Sequence, residues 1–163
     1  MKLDQIAFYA EREEQKHEIK TMLGLQNASW VQDRVTLLSR FPSENEIVWH
    51  EGIAELNFCE ALGPQVEIMH FLQGPHWNFT RDTVGKYFLG HLGLHVQGDH
   101  DFWPPMIGAV LVQESKTIAH TAPAFNDPGS PQFGRRYHYR IYQMPGGMEL
   151  YLKLIKRINR HGA

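Results

Sequence analysis

The chain has 163 residues, of which 42% are apolar and 21% are charged, and these proportions are typical of a single globular domain. A formal net charge of −2 and a sequence pI near 6.5 exclude a basic surface for nucleic acid or for anionic membranes. The single cysteine, Cys59, excludes an intrachain disulfide, and no stretch has the roughly 20 apolar residues of a membrane helix. We therefore expect a soluble cytoplasmic protein without a signal peptide.

The first half of the chain predicts the order β-α-β-β-β. Residues 3–9 are apolar and lack Gly and Pro, as expected of a strand, and residues 11–23 are rich in helix-forming Glu, Lys and Gln. Gly24 followed by Leu25 is typical of the C-terminal cap of a helix. Alternating and apolar runs then predict three further strands, at 30–41, 53–59 and 66–72.

The second half repeats this order after a linker at 74–87 that contains Pro and Gly. A strand at 89–96 precedes a short, poorly formed helix at 99–107, which contains two prolines. Residues 121–134 hold three prolines and two glycines and predict a long loop, a kind of segment that often acts as a lid. The remaining strands are predicted at 109–120, 135–142 and 148–155.

Two sequence echoes indicate that the halves are copies of one unit. The opening strand of each half carries a ligand-type side chain, Gln5 in Leu-Asp-Gln-Ile-Ala-Phe and His91 in Leu-Gly-His-Leu-Gly-Leu. The closing strand of each half carries a glutamate, Glu67 in Val-Glu-Ile and Glu149 in Met-Glu-Leu. The separations within each half are 62 and 58 residues, and a repeated offset is the signature of duplication. The predicted organisation is one domain over 1–163, with modules at about 1–74 and 86–156.

The two glutamates are the strongest sign of a buried site. A carboxylate in an apolar strand is costly to bury unless it is paired, hydrogen-bonded or bound to a metal. Neither Glu67 nor Glu149 has an adjacent Lys or Arg. The alternative is that both point to solvent, and the matching Gln5 and His91 argue against it. The four residues are therefore candidate ligands of one metal ion.

These motifs resemble the vicinal oxygen chelate superfamily, which includes glyoxalase I, bleomycin-resistance proteins, extradiol dioxygenases and methylmalonyl-CoA epimerase. The likeness rests on the opening strand, Leu-Gly-Leu after the first helix, Gly-His-Leu-Gly-Leu-His-Val and Gly-Gly-Met-Glu-Leu, and element order extends it over nearly the whole chain. It implies an α+β fold in which two tandem βαβββ modules form a curved mixed sheet around a metal-binding cavity. In such a fold Gln5, Glu67, His91 and Glu149 converge on one divalent ion per site.

The identities of the four ligands are most similar to those of zinc-using glyoxalase I. Extradiol dioxygenases have a histidine in the place of Gln5, the epimerases place His first and Gln second, and bleomycin-resistance proteins generally lack the ligands. Three oxygens and one nitrogen suit Zn, Ni, Co, Mn or Fe. The implied function is a metal-dependent lyase or isomerase that acts on a small α-oxygenated carbonyl compound or its thiol adduct, through proton abstraction and a metal-stabilised enediolate. The alternatives are a non-catalytic ligand- or drug-binding protein and, less favoured, an extradiol-type dioxygenase.

The same resemblance implies roles and an assembly. Glu149 is the expected base, because a carboxylate that leaves the metal can take a proton from carbon, and Glu67 is the alternative. Relatives of the glyoxalase I type often share sites across a dimer, so a homodimer is expected. The ligands meet either within one chain or between two chains, and both arrangements stay open.

Candidate substrate contacts follow from strand alternation. Tyr151 shares the face of Glu149, because residues two apart in a strand point the same way, and Lys153 follows on that face. Asn57 lies opposite the apolar face of its strand and is expected to face the cavity. Arg140 is a candidate because glyoxalase I, which the chain resembles, holds glutathione with basic and amide side chains; the alternative is that Arg140 is solvated or paired. The full set is Asn57, Tyr151 and Arg140, with weaker indications for His120, Tyr137 and Tyr139.

Overall fold

The structure is a computed structural model that describes residues 2–61, 63–75, 88–96, 107–145 and 151–158. It has the mixed α+β composition expected, with eight strands in one closed, mixed β-sheet. Among the described helices, none has the length and apolar character needed to cross a membrane. In chain order the elements are β1 (Lys2–Ala10), α1 (Glu13–Met22), β2 (Val31–Arg40), β3 (His50–Cys59), β4 (Gln65–Gln73), β5 (Phe88–Val96), β6 (Val110–His120), α2 (Pro123–Asn126), β7 (Arg136–Gln143) and β8 (Tyr151–Ile158).

The predicted order of the first half is confirmed, and the strand boundaries differ by a few residues. One correction concerns the loop predicted at 121–134, which contains the short helix α2. Its first residue is a proline, which a first helical turn accommodates because no amide hydrogen bond is required there. The helix predicted at 99–107 lies almost entirely outside the described residues, as does most of the linker at 74–87.

The helix α1 is capped at both ends by its own sequence. The side-chain carbonyl of Gln15 accepts hydrogen bonds from the backbone amides of Glu11, over 2.7 Å, and Arg12, over 2.9 Å. Gly24 adopts a φ of 69°, a left-handed conformation that favours glycine and ends the helix. Ile19 is fully buried in the layer between α1 and the outer face of β1 and β4. The helix therefore covers one outer side of the sheet.

The sheet closes into a barrel because the two halves of the chain pair at two seams. At one seam β1 pairs antiparallel with β5, and at the other β2 pairs antiparallel with β6. Two pairs are parallel, β1 with β4 and β5 with β8, and the remaining neighbours are antiparallel. The barrel thus has a first wall, β4-β1-β5-β8, and a second wall, β3-β2-β6-β7.

Side chains pack on both faces of the first-half strands. Because successive residues alternate between faces, β1 contributes Tyr9 to the barrel interior and Phe8 to the outer layer beneath α1. The interior cluster includes Tyr9, Val35, Leu37, Ala54, Leu56 and Met69. Polar side chains on the inner face therefore lie in a dry, enclosed environment, where each one needs a partner.

Candidate active site

Three of the four candidate metal ligands meet inside the barrel on the first wall. Gln5 lies on β1, Glu67 on β4 and His91 on β5, and none is more than 5% exposed. Ala7 pairs with Glu67 on one side and with His91 on the other, and its small side chain leaves space for the polar groups. Gly93 pairs with Gln5, and a Cβ at that glycine would lie 2.9 Å from the Cβ of Gln5. The backbone of β5 thus approaches Gln5 closely.

Hydrogen bonds link these side chains. Gln5 Nε2 donates to Glu67 Oε2 over 2.6 Å, and Gln5 Oε1 lies 3.3 Å from His91 Nε2. Because the amide oxygen only accepts, His91 Nε2 carries the proton, and His91 Nδ1 accepts from the Tyr9 hydroxyl over 2.9 Å. Burial, assisted by the charge of Lys153, lowers the pKa of His91 well below its ordinary value. The imidazole is therefore neutral and is held by partners on both nitrogens.

Lys153 on β8 is a cation that the predicted ligand set does not contain. Its Nζ lies 3.4 Å from Gln5 Oε1 and 4.0 Å from the centre of the Tyr139 ring. Burial lowers the pKa of Lys153, and the charge of Glu67 opposes that shift. Burial likewise raises the pKa of Glu67, and the charge of Lys153 opposes it. The two charges therefore stabilise each other across the amide of Gln5.

The donors suit a divalent metal ion in type and in spacing. Neighbouring donors around an octahedral ion with bonds of about 2.1 Å lie about 3 Å apart, close to the 3.3 Å between Gln5 Oε1 and His91 Nε2. Nε2 would bind an ion only after the ring proton moves to Nδ1, where the Tyr9 hydroxyl would accept it. Glu67 Oε1 is buried and has no hydrogen-bond partner among the described residues, which leaves one carboxylate oxygen for a further contact. Across the described ranges, no three His, Cys, Asp or Glu side chains gather as a metal site, so the amide of Gln5 would be the third donor. Glu149 lies outside the described residues, and the ammonium of Lys153 would compete with a metal.

The candidate substrate contacts lie in three different surroundings. Asn57 is on the outer face of β3, where its Oδ1 accepts a hydrogen bond from a lysine of α1 over 3.1 Å. Arg140 donates from Nε to Glu114 over 2.8 Å, on the face of β7 opposite the inward Tyr139. The expectation that Asn57 faces the cavity is therefore corrected, and Arg140 is held away from the cleft by its carboxylate partner. Tyr151 is half-buried at the start of β8.

Gln5 and Glu67 face a cleft between the two walls. The cleft encloses about 660 Å³, including the solvent at its mouth. His91 and Lys153 line a second, smaller cavity of about 280 Å³, which Tyr139 also lines. Both cavities therefore border the same polar group from different sides. Besides carboxylate and amide side chains, the cleft is lined by six ring side chains, which are Phe58, His95, His120, Phe125, Tyr137 and Tyr139.

A further polar pair lies on the second wall. His120 Nδ1 lies 2.7 Å from Asp33 Oδ2, and both residues line the cleft. From the sequence His120 is only a weaker candidate, and Asp33 is missed. The signal for Asp33 is a carboxylate inside the apolar strand predicted at 30–41, the same signal that identifies Glu67.

His120 faces inward because β6 contains a bulge. Leu37 of β2 pairs with Thr117, but the preceding Thr36 pairs with Ala119, so β6 has one extra residue at this point. A bulge shifts the following residues to the opposite face of the sheet. His120 thereby joins the inner face, although it is three residues from the inward Thr117. Regular alternation would place the imidazole outside the barrel.

No family model matches the sequence, and no curated protein matches it either. Among solved structures, the chain is similar to the crystal structure of the hypothetical protein BH1468 from Bacillus halodurans C-125. The TM-score is 0.48 and the sequence identity is 14%, with 95% of this chain and 93% of that chain covered. At that distance the similarity carries no information on the chemistry of the cleft.

Proposed function

We propose that this chain is a metal-dependent enzyme of the glyoxalase type, a lyase or isomerase that acts on a small α-oxygenated carbonyl compound or its thiol adduct. The proposal is carried by the convergence of Gln5, Glu67 and His91 on three adjacent strands, with Glu67 Oε1 unpartnered within the described part of the chain. An amide oxygen, a carboxylate oxygen and an imidazole nitrogen are the donors that the resemblance to the vicinal oxygen chelate superfamily implies. Glu149 is the fourth ligand of the proposed set.

The four side chains would hold one divalent ion, which is Zn, Ni, Co, Mn or Fe. Bound there, such an ion supplies a Lewis acid that polarises the substrate carbonyl. Glu149, or Glu67 through its free oxygen, takes the proton from the carbon beside the carbonyl and delivers it to the neighbouring carbon.

We further infer that the two halves are tandem βαβββ modules. In each half the first strand is parallel to the fourth, and the second, third and fourth strands pair antiparallel. Within one chain, Gln5 contacts Glu67 of its own half and His91 of the second half. This contact supports a complete site in each chain, so a homodimer would carry two independent sites.

A metal-free ligand-binding protein is the second candidate, and Lys153 is the observation that favours it. Its ammonium balances the charge of Glu67 and approaches the amide of Gln5, so the Glu67 carboxylate is compensated without a metal. In that case the cleft would bind a small polar ligand, and the protein would resemble the bleomycin-resistance branch of the superfamily.

Metal content and turnover together distinguish the two candidates. The purified protein is stripped with a chelator, reloaded with each of the five ions, and assayed for bound metal by mass spectrometry. The probe is the hemithioacetal of methylglyoxal with glutathione or with 2-mercaptoethanol, and thioester formation is followed by absorbance. We expect one ion per chain, loss of activity on stripping and recovery on reloading. A protein that takes up no stoichiometric ion would refute the enzyme proposal.

A matched pair of variants locates the ion. Glu67→Gln should lower metal affinity and abolish turnover, because the amide replaces a charged donor. Glu55→Gln is the control, since Glu55 is also a shielded strand glutamate, but it pairs with Lys16 on the outer face. The control variant should retain both metal and activity. Equal losses in the two variants would indicate a general effect on folding.

A further inference from the structure

An imidazole nitrogen without a partner faces the interior from the second wall. The His120 side chain is 3% exposed, and no residue in the described ranges hydrogen-bonds to its Nε2, whereas its Nδ1 lies 2.7 Å from Asp33 Oδ2. Leaving a buried polar atom unpaired destabilises the folded state. Such atoms in native proteins call for a ligand, a water molecule or a catalytic role as their explanation. The pair lines the cleft that Gln5 and Glu67 also line.

Asp33 determines which nitrogen of the ring carries the proton. Its Oδ1 accepts hydrogen bonds from the backbone amides of Thr121 and Ala122, each over 2.9 Å. Burial alone would raise the pKa of Asp33, but the hydrogen bonds from His120 and from these amides lower it below its ordinary value. The carboxylate is therefore ionised and only accepts, so His120 donates from Nδ1. In the neutral ring the lone pair lies on Nε2.

Two aromatic rings hold the imidazole in place. Phe125 of α2 stacks on His120 with ring centres 4.1 Å apart and an interplanar angle of 15°. Tyr137 meets the same ring edge-on, with centres 6.2 Å apart and an angle of 78°. The ring therefore has a fixed direction as well as a fixed tautomer. Both properties are required of a group that transfers protons to a bound molecule.

We propose that His120, positioned by Asp33, carries a proton between the two oxygens of the substrate. The inference rests on the proposed function. Conversion of R–CO–CH(OH)–X into R–CH(OH)–CO–X moves one hydrogen from carbon to carbon and another from oxygen to oxygen. The glutamate carboxylate moves the first. His120 Nε2 takes the hydroxyl proton and delivers it to the former carbonyl oxygen, so the imidazole ends neutral and no co-reactant is consumed. Asp33 is a positioning residue and does not touch the substrate.

The test separates the two hydrogen transfers. The metal-loaded wild type, His120→Gln and Asp33→Asn are incubated in D2O with the hemithioacetal of methylglyoxal and glutathione. Deuterium in the recovered substrate reports removal of the carbon proton, and thioester absorbance reports the complete reaction. We expect His120→Gln to slow thioester formation by about 10²–10⁴-fold, the usual loss for an acid–base group, while carbon exchange continues. Asp33→Asn should show the same pattern as His120→Gln, with slower thioester formation and continued carbon exchange.

A second readout needs neither metal nor turnover. In ¹⁵N-histidine NMR spectra of the metal-free wild type, His120 should show a protonated Nδ1 and a bare Nε2. Hydroxyacetone, an α-hydroxy ketone, should move the Nε2 resonance of His120. The control is His138, which lies 2.8 Å from Glu114 and does not line the cleft. Its resonances should stay in place, and His138→Gln should leave both reaction rates unchanged.

The outcomes separate this inference from the proposed function. A wild type that exchanges no carbon proton with any of the ions would refute the proposed function, and the NMR titration would still test His120. An unmoved Nε2 resonance would then overturn the inference. Full thioester formation by a folded His120→Gln protein, or an equal loss of both rates, would overturn it as well, because neither result fits a group that acts on the oxygens alone.

Discussion

Removing the charge of Lys153 tests whether two opposite charges stabilise the barrel interior. Lys153 Nζ lies 3.4 Å from Gln5 Oε1, and Gln5 Nε2 lies 2.6 Å from Glu67 Oε2, which separates the charges by roughly 6 Å across the amide. At an effective dielectric constant of about 20, a pair at that distance gains about 3 kcal/mol. We expect Lys153→Met and Glu67→Gln each to lower the free energy of unfolding. The double variant should be about 3 kcal/mol more stable than the sum of the two losses predicts.

Urea denaturation of the four metal-free proteins at pH 7 measures this coupling. The comparison is repeated at high salt, where a surface ion pair would weaken and a buried one would persist. Equal slopes of unfolding free energy against urea in all four proteins would show that the same transition is being compared. If the loss of unfolding free energy in the double variant equals the sum of the two single losses to within about 0.5 kcal/mol, the interaction between the two charges is refuted.

Lys153→Met should raise the affinity for a metal ion, although it lowers the free energy of unfolding. Lys153→Met removes a positive charge beside the proposed donors, so zinc should bind at least about tenfold more tightly, or about 1.4 kcal/mol. Competition with a chromophoric chelator measures the affinity. Lys116→Met is the matched control, because Lys116 is exposed and lies over the Trp49 ring. An affinity that is equal in both variants would place the metal away from Lys153.

Three further predictions concern packing, pH and assembly. Gly93→Ala should destabilise the fold by about 1–3 kcal/mol and weaken zinc binding, because the new methyl group displaces Gln5; denaturation and metal titration measure both effects. Burial alone would raise the pKa of Glu114, but hydrogen bonds from two arginines and a histidine lower it to about 2. Its stabilising effect is therefore present above about pH 4.5 and is lost toward pH 2, and Glu114→Gln should flatten that part of an acid-unfolding curve. Mixed Glu67→Ala and Glu149→Ala proteins should regain no activity after subunit exchange, because each chain holds its own site.

Each of these predictions has a clear contrary result. Unchanged zinc binding in the Gly93 variant would show that the position of Gln5 is irrelevant to the metal. An acid-unfolding curve that is identical with and without Glu114 would show that this carboxylate is not stabilised in the native state. Recovery of activity in the mixed sample would show that two chains share one site.

The polar residues of the first wall were predictable because their surroundings are so apolar. Glu67 and His91 interrupt strands that otherwise bury only hydrophobic side chains, and this conflict is visible in the sequence. The closure of the barrel was not predictable in the same way. It depends on the pairing of β1 with β5 and of β2 with β6, which links distant segments through backbone hydrogen bonds and leaves no periodic signal.

The error for Asn57 has a physical cause. Alternation correctly separates Asn57 from Leu56 and Phe58, but it does not say which face is the interior. The apolar face turns into the barrel, and the polar face meets the charged side chains of α1. His120 is only a weaker candidate from the sequence for a different reason, since a bulge changes the phase of the alternation. Single-residue irregularities of this kind are invisible to a rule based on period two.

The seam between β1 and β5 also has a consequence for how the chain folds. Gln5 precedes its partners Glu67, His91 and Lys153 by 62, 86 and 148 residues. Contacts of such long sequence separation are slow to form, because the loop-closure entropy must be overcome before any contact energy is gained. The strand β1 therefore stays unpaired on the nascent chain until β4 and then β5 have been synthesised. The polar centre of the barrel is complete only once β8, which carries Lys153, has been synthesised.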